Sequence, residues 1–247
     1  LERGCCDGGG GARTSSMGAC ASVIMSEDAR VKKVMHQFER TCPTKAMAGT
    51  IQKVVGRAVP AASGQVLVAP ATGRACLHYD ILVEEEDDES GHWRKVIGEA
   101  QSVACLLSDE TGSVNVDLPG MPCNIMTAPD WADRMSSSRR PSPALLALCA
   151  RFQVQTKAWN LCEGETYKRI RATERVIAVG QQCAALGVVE YDTGHLSLVP
   201  LKKELLEKDD FKRLEWKRME QASWNSLLRR EGIFLSTSSD TIGEALP

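Results

Sequence analysis

Three stretches of the sequence hold residue types that can do chemistry at close spacing. In Cys76-Leu77-His78-Tyr79-Asp80 a thiol, an imidazole and a carboxylate occupy alternate positions. Alternate positions of a strand share a face, so Cys76, His78 and Asp80 would point one way and Leu77, Tyr79, Ile81 and Val83 the other. These are the components of an activated thiol nucleophile. Sequential neighbours on a strand seldom let the base reach the sulfur while the acid orients the base. The expected role is therefore packing or solvent exposure, and no catalytic residue is expected. In the second stretch, Met17-Gly18-Ala19-Cys20-Ala21-Ser22 fits the pattern for N-myristoylation at Gly18, with Cys20 placed for palmitoylation. One acyl chain holds a protein marginally at a bilayer, whereas two hold it stably. Gly18 is modifiable only if translation starts at Met17 or processing exposes it; otherwise residues 1–25 read as a disordered small-residue tail. The third stretch, Glu84 to Glu89, is a run of acids without the glycine and alternating ligands of a calcium loop, so a solvated loop is expected. No metal or cofactor is expected. Arg139 and Arg140 before Ser142 suit a basophilic kinase or a plain loop, and His36 and His195 read as solvent-side and polar-edge residues.

The elements that position these groups read as mainly β. Ser102 to Leu118 alternates Val114, Val116 and Leu118 with Ser113, Asn115 and Asp117 after a turn at Asp109-Glu110-Thr111-Gly112, which is a hairpin pattern. Gly112 is expected to supply a positive φ there. Further strands are expected over Thr50–Val59, with Gly56 marking a bulge or a close approach, and over Val66–Ala69, Cys76–Val83 and Trp93–Ile97. Tyr167–Thr173, Val176–Val179, Cys183–Tyr191 and His195–Val199 complete the set. Helices are expected at three places. The first is amphipathic, within 26–43, with Val31, Val34, Met35 and Phe38 at helical spacing. The second is an insertion near 143–157, packed across the barrel, and the third is a long charged helix over 201–231. That last helix reads as docking on the barrel or, alternatively, as a partner-binding or membrane-surface helix, for which Trp216 on its apolar stripe and Trp224 off it are the candidate contacts. Residues 232–247 read as a tail that either adds one short strand or is disordered. The expected fold is α+β, predominantly β: a small OB-like or open β-barrel spanning 49–200 with these helices added.

The 247 residues allow one sizeable domain with appendages or two small domains. The formal net charge is −2 with signs interspersed, against the basic stripe of a nucleic-acid binder, and aromatic content of 5% leaves few stacking platforms. The chain is too large for its ten cysteines to replace a core as a disulfide framework, and no secretory leader is visible. They lack the C-x-x-C spacing of zinc sites, so most are expected to be reduced, buried thiols. No apolar run approaches the roughly 18 residues of a membrane span.

Pro70, Gly73, Cys76 and Tyr79, the acidic run, Trp93, and Asp109 with Gly112 occur in an order that resembles the GIDE-type, or beside-a-membrane (BAM), domain. That family comprises RING-type E3 ubiquitin ligases of mitochondrial and chloroplast outer membranes and their relatives. Glu174, Gly180 and Gly187 are similar to its closing strands, so the likeness covers about residues 49–200. The chain departs from the family in two ways. No cysteine follows Cys183, so these residues cannot build a RING, and no transmembrane helix flanks the domain; acylation would serve the same end. The resemblance implies a non-catalytic, membrane-tethered domain that recognises protein partners, ubiquitination machinery among them. Its expected place is the cytosolic face of a membrane, such as the outer membrane of a mitochondrion or plastid. The alternative is a fragment or component of a RING-type E3 ligase.

Overall fold

The structure, a computed structural model, describes residues 27–41, 48–61, 64–87, 90–121, 123–136, 140–154, 169–192, 194–201 and 229–242. Gly18, Cys20, Trp216, Trp224 and the expected 201–231 helix beyond Leu201 lie outside the described residues, apart from the short stretch that begins at Arg229. In chain order the elements are α1 (Glu27–Gln37), β1 (Arg40–Thr41), β2 (Ile51–Pro60), β3 (Leu67–Val68), β4 (Ala75–Glu86) and β5 (Trp93–Ser102). There follow β6 (Cys105–Asp109), β7 (Gly112–Val116), β8 (Cys123–Ile125), β9 (Trp131–Met135), α2 (Pro143–Arg151) and β10 (Ile170–Ala178). The last are β11 (Gln182–Asp192), β12 (His195–Val199), β13 (Ile233–Ser236) and α3 (Ser239–Ile242).

Five strands close a barrel in the order β2-β6-β7-β12-β11, with β11 pairing back onto β2. All neighbours are antiparallel except β7 and β12, which run parallel. Val54, Leu107, Val114, Val116, Val189 and Leu198 fill the interior, so the alternation in the opening hairpin is an inside-outside alternation. Closure requires β2 to serve two neighbours at once, since Arg57 pairs with both Ser108 and Gln182. At the adjacent Gly56 a Cβ would lie 2.9 Å from the Ser108 backbone nitrogen, so a side chain there would force the strands apart.

Helix α1 docks on the outside of the barrel. Val31, Val34 and Met35 are fully buried against Val55, Leu186 and Phe234, and the apolar stripe is satisfied by its own domain. Each such side chain contributes on the order of 2 kcal/mol by leaving water.

The remaining strands build a second sheet in the order β3-β4-β10-β9, with β5 also on β4. One face carries Tyr79, Ile81, Val83, Ile170, Ala172 and Val176, and Leu145, Leu148 and Cys149 of α2 cover it. Ser142 starts α2 by accepting the Leu145 amide at 3.2 Å, and Pro143 sits in the first turn where no amide is needed.

The structure corrects several expectations. β3, β4 and β5 do not join the barrel; β4 pairs with β10 to build one sheet with β9 from the other long insertion, and α2 packs on that sheet. Strand pairing is non-local, so the pattern of each segment does not say which sheet it enters. Within 26–43 the helix stops at Gln37, and Arg40–Thr41 adds a parallel strand to β2. Tyr167–Thr173 and Val176–Val179 are described as one strand from Ile170 to Ala178. The 232–247 tail contributes a short strand, one of its two expected readings: β13, all four of whose residues are buried beside β11. Glu84–Glu86 belong to β4 and not to a loop. The φ of Gly112 is 159°, effectively extended backbone; the turn is closed by the Asp109 carboxylate, which accepts the Thr111 amide at 2.8 Å and its hydroxyl at 2.5 Å.

Candidate functional site

The cysteine, histidine and acid of β4 are not brought together on one face. The pairing of β4 with β10 shifts register so that His78 faces Ile177 while Cys76 faces Ala178, leaving Leu77 as an extra residue. This β-bulge turns Cys76 to the side of Tyr79 and Ile81 and sends Leu77 into the barrel core. Burial then pushes the Cys76 thiol up to about 11, the reverse of what a nucleophile needs. His78 is 5% exposed, its Nδ1 lies 2.8 Å from the Ser102 hydroxyl, and its Nε2 has no hydrogen-bond partner. Burial pushes the imidazole down to about 4, partly opposed by Asp80, so it is neutral at pH 7. Asp80 instead faces Arg175 at 3.5 Å.

Most residues singled out by family resemblance turn out to hold the fold. Glu174 is fully buried on β10, and its two carboxylate oxygens accept the amides of Ala71 at 2.7 Å and Thr72 at 2.9 Å. It thereby ties down the Pro70–Gly73 turn between β3 and β4, in which the Gly73 amide reaches Ala69 O at 2.9 Å. Tyr79 is buried and donates its hydroxyl to Glu99 at 2.6 Å. Gly180 adopts φ 79°, which favours glycine, and its amide bonds Ala58 O of the barrel at 2.7 Å. Gly187 sits in β11 where a Cβ would meet Val199 O at 2.9 Å.

Trp93 is different, because it borders open space. It starts β5, opposite Glu86, and the guanidinium of Arg171 lies 4.3 Å from its ring centroid. Trp93, Arg134, Met135, Ser136, Arg169 and Arg171 line a cleft of about 440 Å3 where β5, β9 and β10 meet. The acidic run supplies its supports. Glu84 accepts Arg171 at 2.5 Å, Glu86 takes Arg169 at 3.3 Å, and the buried Glu85 pairs with Arg94. The bond from Glu84 raises the Arg171 pKa further, so this cation does not titrate near neutrality. Arg134 stands directly opposite Arg171 in the β9–β10 register, a like-charge pairing that is destabilising on its own, and forms no ion pair with a described residue.

The arginines of this cleft escaped the sequence reading. The signal was present: Arg169, Arg171, Thr173 and Arg175 alternate with Ile170, Ala172 and Glu174, a period-two stripe of cations along one strand face. A second cleft, of about 260 Å3, lies between Arg40, Arg57, Ser108, Asp109 and Glu110 and mixes both signs of charge. Among the described residues no cluster of three or more His, Cys, Asp or Glu is placed to hold a metal ion, and no helix is long and apolar enough to cross a membrane. Comparison with known proteins finds no matching family, no matching curated protein and no matching solved structure.

Proposed function

We propose that this chain is a non-catalytic protein-interaction domain, tethered to a membrane by acyl groups at Gly18 and Cys20 and related to the GIDE-type domains of membrane E3 ubiquitin ligases. The observation that carries the interaction reading is the Trp93 cleft, where an indole and three guanidinium groups border open space. Tryptophan and arginine are the side chains most enriched where proteins bind one another. We read the closed five-strand barrel, with its parallel β7–β12 step, as OB-like, and such barrels commonly serve as binding platforms. The binding surface here differs from the usual oligonucleotide face, since the outward positions of β6 and β7 carry Leu106, Ser108, Ser113 and Asn115 and no aromatic ring.

The test is proximity labelling from the form beginning at Met17. Gly18→Ala should move the protein from membranes to the soluble fraction and remove membrane neighbours. The double change Trp93→Ala with Arg134→Gln should keep it at the membrane and remove a defined subset of protein neighbours. A neighbour set indifferent to the cleft variant would defeat the interaction reading, and partitioning indifferent to Gly18→Ala would defeat the tether.

A further inference from the structure

The Trp93 cleft holds more donor capacity than its own carboxylates use. Each guanidinium carries five N–H donors in a planar fork. Arg171 spends Nε on Glu84, and Arg169 spends Nη1 on Glu86 at 3.3 Å, while Arg134 spends nothing on a described carboxylate. Among the described residues, three arginines against the two glutamates they pair with leave one net positive charge at the cleft, on the exposed Arg134. Glu84 holds Arg171 at 2.5 Å and the Trp93 ring covers one face of it, so this guanidinium is pinned before a ligand arrives. Pinned arginines lose less freedom on binding and match the geometry of a phosphate.

We infer that this cleft binds a phosphorylated side chain of a partner peptide, with Arg134 as the principal contact and Arg169 and Arg171 completing the cage around the phosphoryl oxygens. The inference rests on the interaction reading above and names its partner class. A peptide is favoured over a bilayer because the cleft is concave, draws its walls from three strands and sets the apolar Met135 and Ile170 beside its arginines, a mixed lining that suits a single side chain and its neighbours better than a flat anionic surface. The apolar parts of Trp93, Met135 and Ile170 supply room for residues beside the phosphorylated one.

The experiment presents the full chain with a degenerate peptide library fixed on a central phosphoserine, the matched serine and glutamate libraries, inorganic phosphate, and vesicles containing phosphatidylinositol bisphosphate. The phosphoserine library should bind, the serine library should not, and Arg134→Gln should weaken binding by about tenfold or more, the value of one lost charge-assisted bond. Arg57→Gln, in the other cleft, should leave it unchanged. Equal binding of serine and phosphoserine libraries, or Arg134-dependent binding of vesicles or free phosphate without the peptide, would overturn the inference. If cleft variants lose neighbours in cells while no phosphate preference is seen, the interaction reading stands and the phosphate assignment falls. If neither occurs, both fall.

Discussion

Two buried ionisable side chains govern how this molecule responds to change at single residues. Glu174 is an acid at zero exposure whose two side-chain oxygens accept the backbone amides of Ala71 and Thr72. Hydrogen bonds to a charged acceptor contribute about 1.5–3 kcal/mol each, so Glu174→Ala should destabilise the fold by about 3 kcal/mol or more. Glu174→Gln, which keeps one acceptor, should cost less; urea unfolding of the pair measures the difference. His78 gives a pH signature. Its folded pKa of about 4 lies below the ordinary 6.5, so the unfolded chain binds the proton more readily. The contribution is complete above pH 6.5 and is lost as pH falls from there toward 4, a change on the order of 3 kcal/mol. Unfolding followed between pH 7 and 4 should show this loss in the wild type and a smaller loss in His78→Gln. Neither role was legible from residue type, because each depends on a partner strand: Glu174 reaches a turn 102 and 103 residues away.

At the scale of elements, what the sequence disclosed is what short-range pattern controls. The β6–β7 hairpin, α1 and the start of α2 follow from alternation, helical spacing and a Ser-Pro start, all read within a few residues. Ser142→Ala should accordingly lower stability by about 1 kcal/mol through loss of the cap, measurable by thermal unfolding. The run Glu84–Glu86 misled because its partners Arg169 and Arg171 come 83 and 87 residues later. Like charges repel when read in isolation, and become a strand face when a matching row of cations is supplied. The Leu77 bulge likewise exists only in register with β10, and it decides that Cys76 is core. Burial raises Cys76 and Cys149 to about 11 and Cys105 and Cys183 to about 12. Brief alkylation of the native chain at pH 7.5, mapped by mass spectrometry, should leave these four unlabelled until denaturant is added.

At the scale of the whole molecule, the barrel and the second sheet share no strand but interlock through side chains. Leu77 and Ile177 come from β4 and β10 yet lie in the barrel core, while Cys76 and Val176 beside them belong to the core under α2. Ile177→Ala, with a cost of about 2–5 kcal/mol for a buried large-to-small change, should therefore loosen both bodies together. Hydrogen exchange would register this as faster exchange in β7 and in β9 alike; a change confined to one sheet would show that they open separately.

The second sheet is spliced from two excursions. One leaves the barrel after β2 and returns at β6, with the Ala61 amide meeting Ala104 O at 3.3 Å at its base; the other departs after β7 and re-enters at β11. Each brings half of the β4–β10 pairing. Across any lineage that carries this barrel, the two excursions should accordingly be gained or discarded as a couple, because a descendant retaining one alone would inherit a raw, unmatched border where its other half had been.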